Sequence, residues 1–244
     1  CVILPTAVLS NHTLFKSFTV KDLTDQIAPI CEKWQDEGVR FDAIYTGYLG
    51  TIEQIDMMKD LFRTFGSGED KLIFVDPVMA DNGKMYPGFD SDFPKEMAKL
   101  CNGADVIMPN LTEASFLLDT PYVGEDYDQA YIEDMLKKLK ALGAKNVVLT
   151  GVSFEKGKLG CACYDGNKIE YTFTNRLDAS VHGTGDVFAS SFAGALLRGK
   201  SILEAATIAQ DYVVESMKLT LGDDSHWYGV KFEKAIPFLI ERLK

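Results

Sequence analysis

Nowhere in the 244 residues is there a Gly-x-x-x-x-Gly-Lys-Ser/Thr run or a protein-kinase glycine loop, so two common cradles for nucleotide phosphates are excluded. Cys-x-x-Cys pairs are also missing. The five cysteines, Cys1, Cys31, Cys101, Cys161 and Cys163, have no histidine nearby, which argues against structural zinc or a disulfide framework and for buried thiols in a reducing compartment. Positive charge is scarce, with 25 Lys and Arg against 36 Asp and Glu and a net charge of −11, so a nucleic-acid-binding surface is not expected. No apolar run approaches the ~20 residues that cross a bilayer, and no charged leader precedes an apolar core, which makes the cytoplasm the expected compartment. Repeats, low-complexity tracts and linkers are lacking too. With 46 % hydrophobic residues, the chain is expected to form one α/β domain over 1–244.

What is present is an alternation of short β-rich runs and longer helical patterns, the mark of βαβ units on a parallel sheet. Asp42 to Thr46, Lys71 to Asp76, Ala104 to Pro109 and Asn146 to Thr150 read as strands, and Cys1 to Pro5 as a further strand-like run. Helical spacing appears over Ile52 to Phe65, Phe93 to Leu100 and Tyr131 to Leu142. In the last, Ile132, Met135, Leu136, Leu139 and Leu142 recur at three and four. Leu159 to Tyr164 and Ile169 to Phe173, joined by Asp165-Gly166-Asn167, predict a hairpin in which Cys161 and Cys163 share one face. Two helices, Ile202 to Leu219 and Phe232 to Leu243, close the chain.

Between hairpin and closing helices lies His182-Gly183-Thr184-Gly185-Asp186, followed by the small and apolar Val187 to Leu197. Two glycines permit a tight turn, and the proline-free segment behind them predicts a largely buried helix starting near Gly185. Its N-terminal N–H groups and dipole form an anion hole at Gly183, Thr184 and Gly185. Asp186 stands at its mouth, where a carboxylate takes a proton from a hydroxyl attacking a phosphoryl group, or else simply caps the helix. In an open parallel sheet ligands bind beyond the carboxyl ends of the strands. Those ends hold Thr46-Gly47-Tyr48, Asp76-Pro77-Val78, Asn110-Leu111-Thr112-Glu113 and Thr150-Gly151, each of which alone also reads as an ordinary turn.

His-Gly-Thr-Gly-Asp-Val-Phe-Ala resembles the signature of the ribokinase-like superfamily of small-molecule kinases, especially its vitamin B6 branch, the pyridoxal, pyridoxine and pyridoxamine kinases. Asn110-x-x-Glu113, Asp76-Pro77-Val78 through Gly83, Ser10-Asn11-His12-Thr13 and Thr46-Gly47-Tyr48 are similar to further segments of that branch, in the same order. The resemblance implies a three-layer α/β/α fold with a central, mostly parallel sheet, and a C-terminal hairpin before the anion-hole helix. Set against that pattern, the sequence starts one strand and one helix late. The resemblance implies ATP-dependent phosphorylation of the 5′-hydroxymethyl group of a B6 vitamer, with Asp186 as base and Asp76 and Glu113 supporting Mg2+. Asp76, Asp81, Asn110, Glu113, Thr150 and Gly151 would serve the nucleotide, with Asp81 in a mobile loop over it. Ser10, His12, Thr13, Tyr48 and Asp186 would meet the acceptor. A homodimer fits the family, and the need for a monovalent cation stays open. Plainer roles compete: Glu113 as a first-turn glutamate, Thr150-Gly151 as a strand-ending turn, His12 as a structural histidine. Hydroxymethylpyrimidine kinases, which share fold and chemistry, often carry cysteine where this chain has Asp186. A non-catalytic binding protein would lack the three carboxylates.

Overall fold

The computed structural model describes every residue except Thr13, Leu14, Glu69, Asp70 and Ser180. Its first pieces are β1 (Ala7–Leu9) and β2 (Val20–Asp22), an antiparallel pair apart from the main sheet, and then α1 (Thr24–Asp36). The strand expected over Cys1 to Pro5 is not there: Val2 and Ile3 are exposed, and pairing begins only at Ala7, beyond Pro5, which has no N–H to give a ladder.

The main body alternates as the periodicity implied. β3 (Ala43–Thr46) leads into α2 (Ile52–Phe65), and β4 (Leu72–Val75) into a two-stranded hairpin of β5 (Ala80–Asp81) and β6 (Lys84–Met85), followed by α3 (Phe93–Cys101). Next come β7 (Val106–Ile107), α4 (Leu111–Leu117), α5 (Gln129–Ala141) and β8 (Asn146–Val152). β7 is shorter than expected, but Asp105 and Met108 still donate to Ile73 and Val75, so the ladder outruns the strand. Then β9 (Lys158–Tyr164) and β10 (Ile169–Asn175) form the expected hairpin, before α6 (Thr184–Leu197) and α7 (Ile202–Thr220). The last predicted helix is divided into a 3-10 turn, Phe232–Ala235, and α8 (Ile236–Arg242). Pro237, which cannot donate to the preceding turn, stands at the start of the second piece.

Six strands lie in the order β10-β9-β8-β7-β4-β3, with β3, β4, β7 and β8 parallel and β9 and β10 antiparallel at one edge. The period of two sorts their side chains into two cores. Val75, Ile107, Val147 and Leu149 pack toward α1 to α5, and Phe74, Val106, Val148, Cys161 and Cys163 toward α6 and α7. This is the three-layer α/β/α arrangement. α6 is buried on most sides, with Phe192 fully enclosed and edge-on to Phe74, their centroids 6.3 Å apart.

Because Phe192 pins α6 to the sheet, Phe192→Ala leaves a large cavity and is expected to cost about 3–5 kcal/mol. Urea unfolding followed by circular dichroism measures it, and a loss below about 1 kcal/mol would show that the α6 layer is not packed as described.

Candidate active site

α6 starts one residue before the expected point. Gly183 is its N-cap, at φ +87°, in a left-handed conformation that a β-carbon would strain, and no side chain closes the cap. Asp186 is in the first turn, not at the cap, so the simple capping role does not apply. Among the described residues, the leading N–H groups of Gly183, Thr184 and Gly185 therefore stand at a helix N-terminus without a side-chain partner. The turn is held from outside by the Val230 N–H, which donates to the His182 carbonyl at 3.1 Å.

Asn110 and Glu113 form a full capping box on α4. Asn110 Oδ1 accepts the Glu113 N–H at 2.9 Å, and Glu113 Oε2 accepts the Asn110 N–H at 2.9 Å. The Glu113 carboxylate is only 4 % exposed and also accepts the Met79 N–H at 3.2 Å, so it ties the turn after β4 to α4. Asn110 extends the tie, donating to the Ala80 carbonyl at 3.0 Å, while Thr112 Oγ1 accepts the Gly83 N–H at 3.0 Å. The segment carrying Asp81, expected as a loop, is thus a hairpin docked on α4. Its turn is Asn82-Gly83, both at positive φ, the pattern that matches strand twist.

Asp76 has more free capacity. Its Oδ2 accepts the Tyr45 hydroxyl at 2.9 Å, and its pKa is pushed up to about 7 by burial and the nearby Asp186 charge, against the lowering effect of that hydrogen bond. Burial raises Glu113 well above the usual carboxylate range, with Asp76 adding to it. Asp186 is open at the crevice mouth, yet the protein around it raises its pKa, partly offset by His182. Tyr86 stands among these groups: burial first, then Asp81, Glu113, Asp76 and Asp186, pushes its hydroxyl up to about 12. The carboxylates named from sequence thus converge, and Tyr45 and Tyr86 join them.

Among the described residues no Lys or Arg forms an ion pair with Asp76, Glu113 or Asp186, and no three ligand-type side chains make a closed metal site. A cation that takes one or two carboxylates and fills its shell with water and phosphate oxygens suits this donor set, and Mg2+ is such a cation.

Thr150 does not end its strand. β8 runs through Gly151 to Val152, with a register shift between Thr150 and Val152 where Gly151 takes φ +79°. A bulge here lets the backbone turn without breaking the strand. Thr150 bridges to Asn110, and its hydroxyl reaches the Pro109 carbonyl at 3.4 Å.

On the acceptor side, Thr13 lies outside the described residues. The Ser10 hydroxyl is engaged within its own loop, donating to Asn11 Oδ1 and accepting the Thr19 N–H at 2.9 Å. The His12 ring stacks on His182, with centroids 3.9 Å apart, and its Nε2 is 2.6 Å from the Tyr228 carbonyl. Phe15 packs against Trp227 at 4.8 Å. His12 therefore joins the loop to the anion-hole turn and to the segment around 228. Tyr48 is half exposed beyond β3, 6.0 Å from the Phe89 ring. Sequence reasoning passed over Tyr45, Tyr86, Trp227 and Tyr228. Of these only Tyr45 carried a signal, since the period of two sets it opposite Thr46.

A sheet whose polar carboxyl edge faces a helix N-terminus and a group of carboxylates is the arrangement expected of an α/β small-molecule kinase of the ribokinase-like superfamily, and the chain's relatives place it there. The family model for phosphomethylpyrimidine kinase matches residues 8–229, and the chain belongs to that family. It is 31 % identical to the pyridoxine kinase of Bacillus subtilis over 216 residues, 85 % of this chain and 73 % of that protein. A Bacteroides thetaiotaomicron protein, provisionally designated a phosphomethylpyrimidine kinase and crystallised with pyridoxal, superposes with a TM-score of 0.91 at 39 % identity, covering 97 % of this chain and 84 % of its own. The pyridoxal kinase of Lactobacillus plantarum superposes with a TM-score of 0.87 at 29 % identity, covering 98 % and 85 %.

Asp76, Glu113 and Asp186 all have raised pKa values in the folded state, so these three groups hold more protons in the folded protein than in the unfolded chain above about pH 4, opposed in part by the lowered pKa of His182. Stability from this source is full below the unfolded pKa and is lost as pH rises through the folded values. In metal-free buffer, unfolding free energy is expected to fall between pH 5 and pH 8, and Asp76→Asn to flatten that fall. Urea titrations at both pH values test it; an unchanged slope in Asp76→Asn would contradict it.

Proposed function

We propose that this kinase transfers the γ-phosphoryl group of ATP to the 5′-hydroxymethyl group of pyridoxal, pyridoxine or pyridoxamine. The observation that carries the reading is the α6 N-terminus, closed by no side chain among the described residues, with Asp186 in its first turn and Asp76 and Glu113 nearby. Phosphoryl transfer needs little covalent help from the protein and depends on positioning and charge stabilisation.

In this reading the acceptor hydroxyl loses its proton to the Asp186 carboxylate as its oxygen bonds to the γ-phosphorus. The bond from that phosphorus to the bridging oxygen breaks, and ADP leaves. The raised pKa of Asp186 brings it closer to the working pH, which improves a base. N–H groups of Gly183, Thr184 and Gly185 face the charge that develops on the transferring group. Bound Mg2+ would neutralise phosphate charge, held by Asp76 with Glu113 behind it. The N–H groups of Asn110 and Met79, which occupy Glu113 Oε2 and Oε1, favour contact through water. Asn110, Thr150 and Gly151 would line the phosphate side with Asp81 over the nucleotide, and Ser10, His12, Thr13 and Tyr48 the pyridine side.

Two similarities support the B6 acceptor: the pyridoxine kinase relative and the Bacteroides structure crystallised with pyridoxal. A second reading, phosphorylation of hydroxymethylpyrimidine, is favoured by the matching family model.

Incubation with ATP and Mg2+ and each of pyridoxal, pyridoxine and hydroxymethylpyrimidine, read by mass, separates the two. Pyridine phosphates are expected; product from the pyrimidine alone would reassign the acceptor. Asp186→Asn keeps the shape without the base and is expected to lower kcat by about two to four powers of ten, and near-normal turnover would remove Asp186 from this role.

A further inference from the structure

Gln54, on the first turn of α2, is fully buried and uses its whole side-chain amide. Its Oε1 accepts the Gly50 N–H at 2.7 Å. Its amide nitrogen faces the Thr6 carbonyl at 2.9 Å, Asp22 Oδ2 at 3.0 Å and the Thr24 hydroxyl at 2.9 Å. One side chain thus joins four segments: the loop after β3, the entry to β1, the end of β2 and the start of α1. The same loop is tied a second time, because the Thr6 hydroxyl donates to the Tyr48 carbonyl at 2.7 Å. Space is tight there: a β-carbon on Gly50 would stand 3.3 Å from the Tyr48 hydroxyl oxygen and 3.6 Å from Asp22 Oδ2.

A plainer role exists. Thr51-Ile52-Glu53-Gln54 has the capping-box spacing, and Thr51 Oγ1 does accept the Gln54 N–H at 3.1 Å. A capping glutamine, however, reaches back with its oxygen to the N-cap N–H. Here the oxygen goes one residue further, to Gly50, and the NH2 group points at acceptors on other elements. Only a neutral amide offers one acceptor and two donors in this arrangement. An apolar side chain of equal volume would leave the Gly50 N–H without its partner, and would cut the tie from α2 to the Thr6 carbonyl, which keeps the Leu23 N–H, and to Asp22, which keeps Thr24.

We infer that Gln54 is a positioning residue for the acceptor site, setting Tyr48 and its loop against the β1–β2 pair and thereby controlling acceptor affinity. The inference rests on the reading in which Tyr48 lines the acceptor pocket.

Gln54→Glu separates the two roles. Glutamate is at least as good a capping residue and still accepts from Gly50, but it loses the donors and sets a negative charge against Asp22. Gln54→Glu is expected to raise the KM for pyridoxal about tenfold or more, with the KM for ATP within about twofold. Adding Asp22→Asn, which removes the charge and supplies an amide donor, is expected to recover part of the loss. An unchanged pyridoxal KM in Gln54→Glu, or equal rises in both KM values, would overturn the inference. A measurement independent of the acceptor uses the Tyr48 NMR signals of the unliganded protein, expected to shift in Gln54→Glu and move back in the double variant. Unshifted signals overturn the inference whatever the substrate, whereas a wild-type protein that leaves pyridoxal unphosphorylated overturns the functional reading alone.

Discussion

Three carboxylates gather at the carboxyl edge of the sheet, and among the described residues no Lys or Arg pairs with Asp76, Glu113 or Asp186, with only His182 partly offsetting the last. Unpaired negative charge in a poorly solvated place is unfavourable, and the protein responds by raising the pKa values of all three. What faces them is the partial positive charge of the α6 N-terminus, left open by the glycine at its cap. In the proposed reading, an acidic protein with net charge −11 would take phosphate at this helix end, with no Lys or Arg among the described residues paired to the carboxylates beside it.

The fold delivers these groups by simple means. Parallel strands end together, so Asp76 after β4 and Asn110 after β7 arrive side by side with Thr150 on β8. Layering fixes the rest: Phe192 seats α6 on the face that carries Phe74, and the helix N-terminus meets the strand ends there. Glu113 clamps the Met79 turn and the α4 cap at once, and its burial gives it a structural and an electrostatic part in the same place. The side proposed for the acceptor is built differently, from short exposed strands, the His12–His182 stack and the Gln54 hydrogen bonds.

That contrast explains what was legible in the sequence. The helical spacing over Ile52–Phe65 and the proline-free apolar run behind Gly185 could be read directly, although the helix there starts one residue earlier, at Thr184. Asn110-x-x-Glu113 and Gly183 to Asp186 are local motifs whose spacing is itself the geometry. β1 and β2, three residues each and largely exposed, have no hydrophobic pattern to reveal them, and Cys1 to Pro5 misled because an apolar run is not a strand without a partner. The Asn82-Gly83 turn was written in the sequence and read as loop. Tyr45 on Asp76 and Gln54 on Thr6 and Asp22 join residues 31, 48 and 32 positions apart, which no local pattern encodes.

The central claim is that the α6 N-terminus and Asp186 face each other across the transferring phosphoryl group. A crystal structure with a non-hydrolysable ATP analogue, Mg2+ and pyridoxine tests it most directly. The account predicts the terminal phosphate within hydrogen-bond distance of the N–H groups of Gly183 to Gly185, and the 5′-hydroxyl on the Asp186 carboxylate. A terminal phosphate bound away from that helix end, or a hydroxyl that Asp186 does not reach, would contradict it.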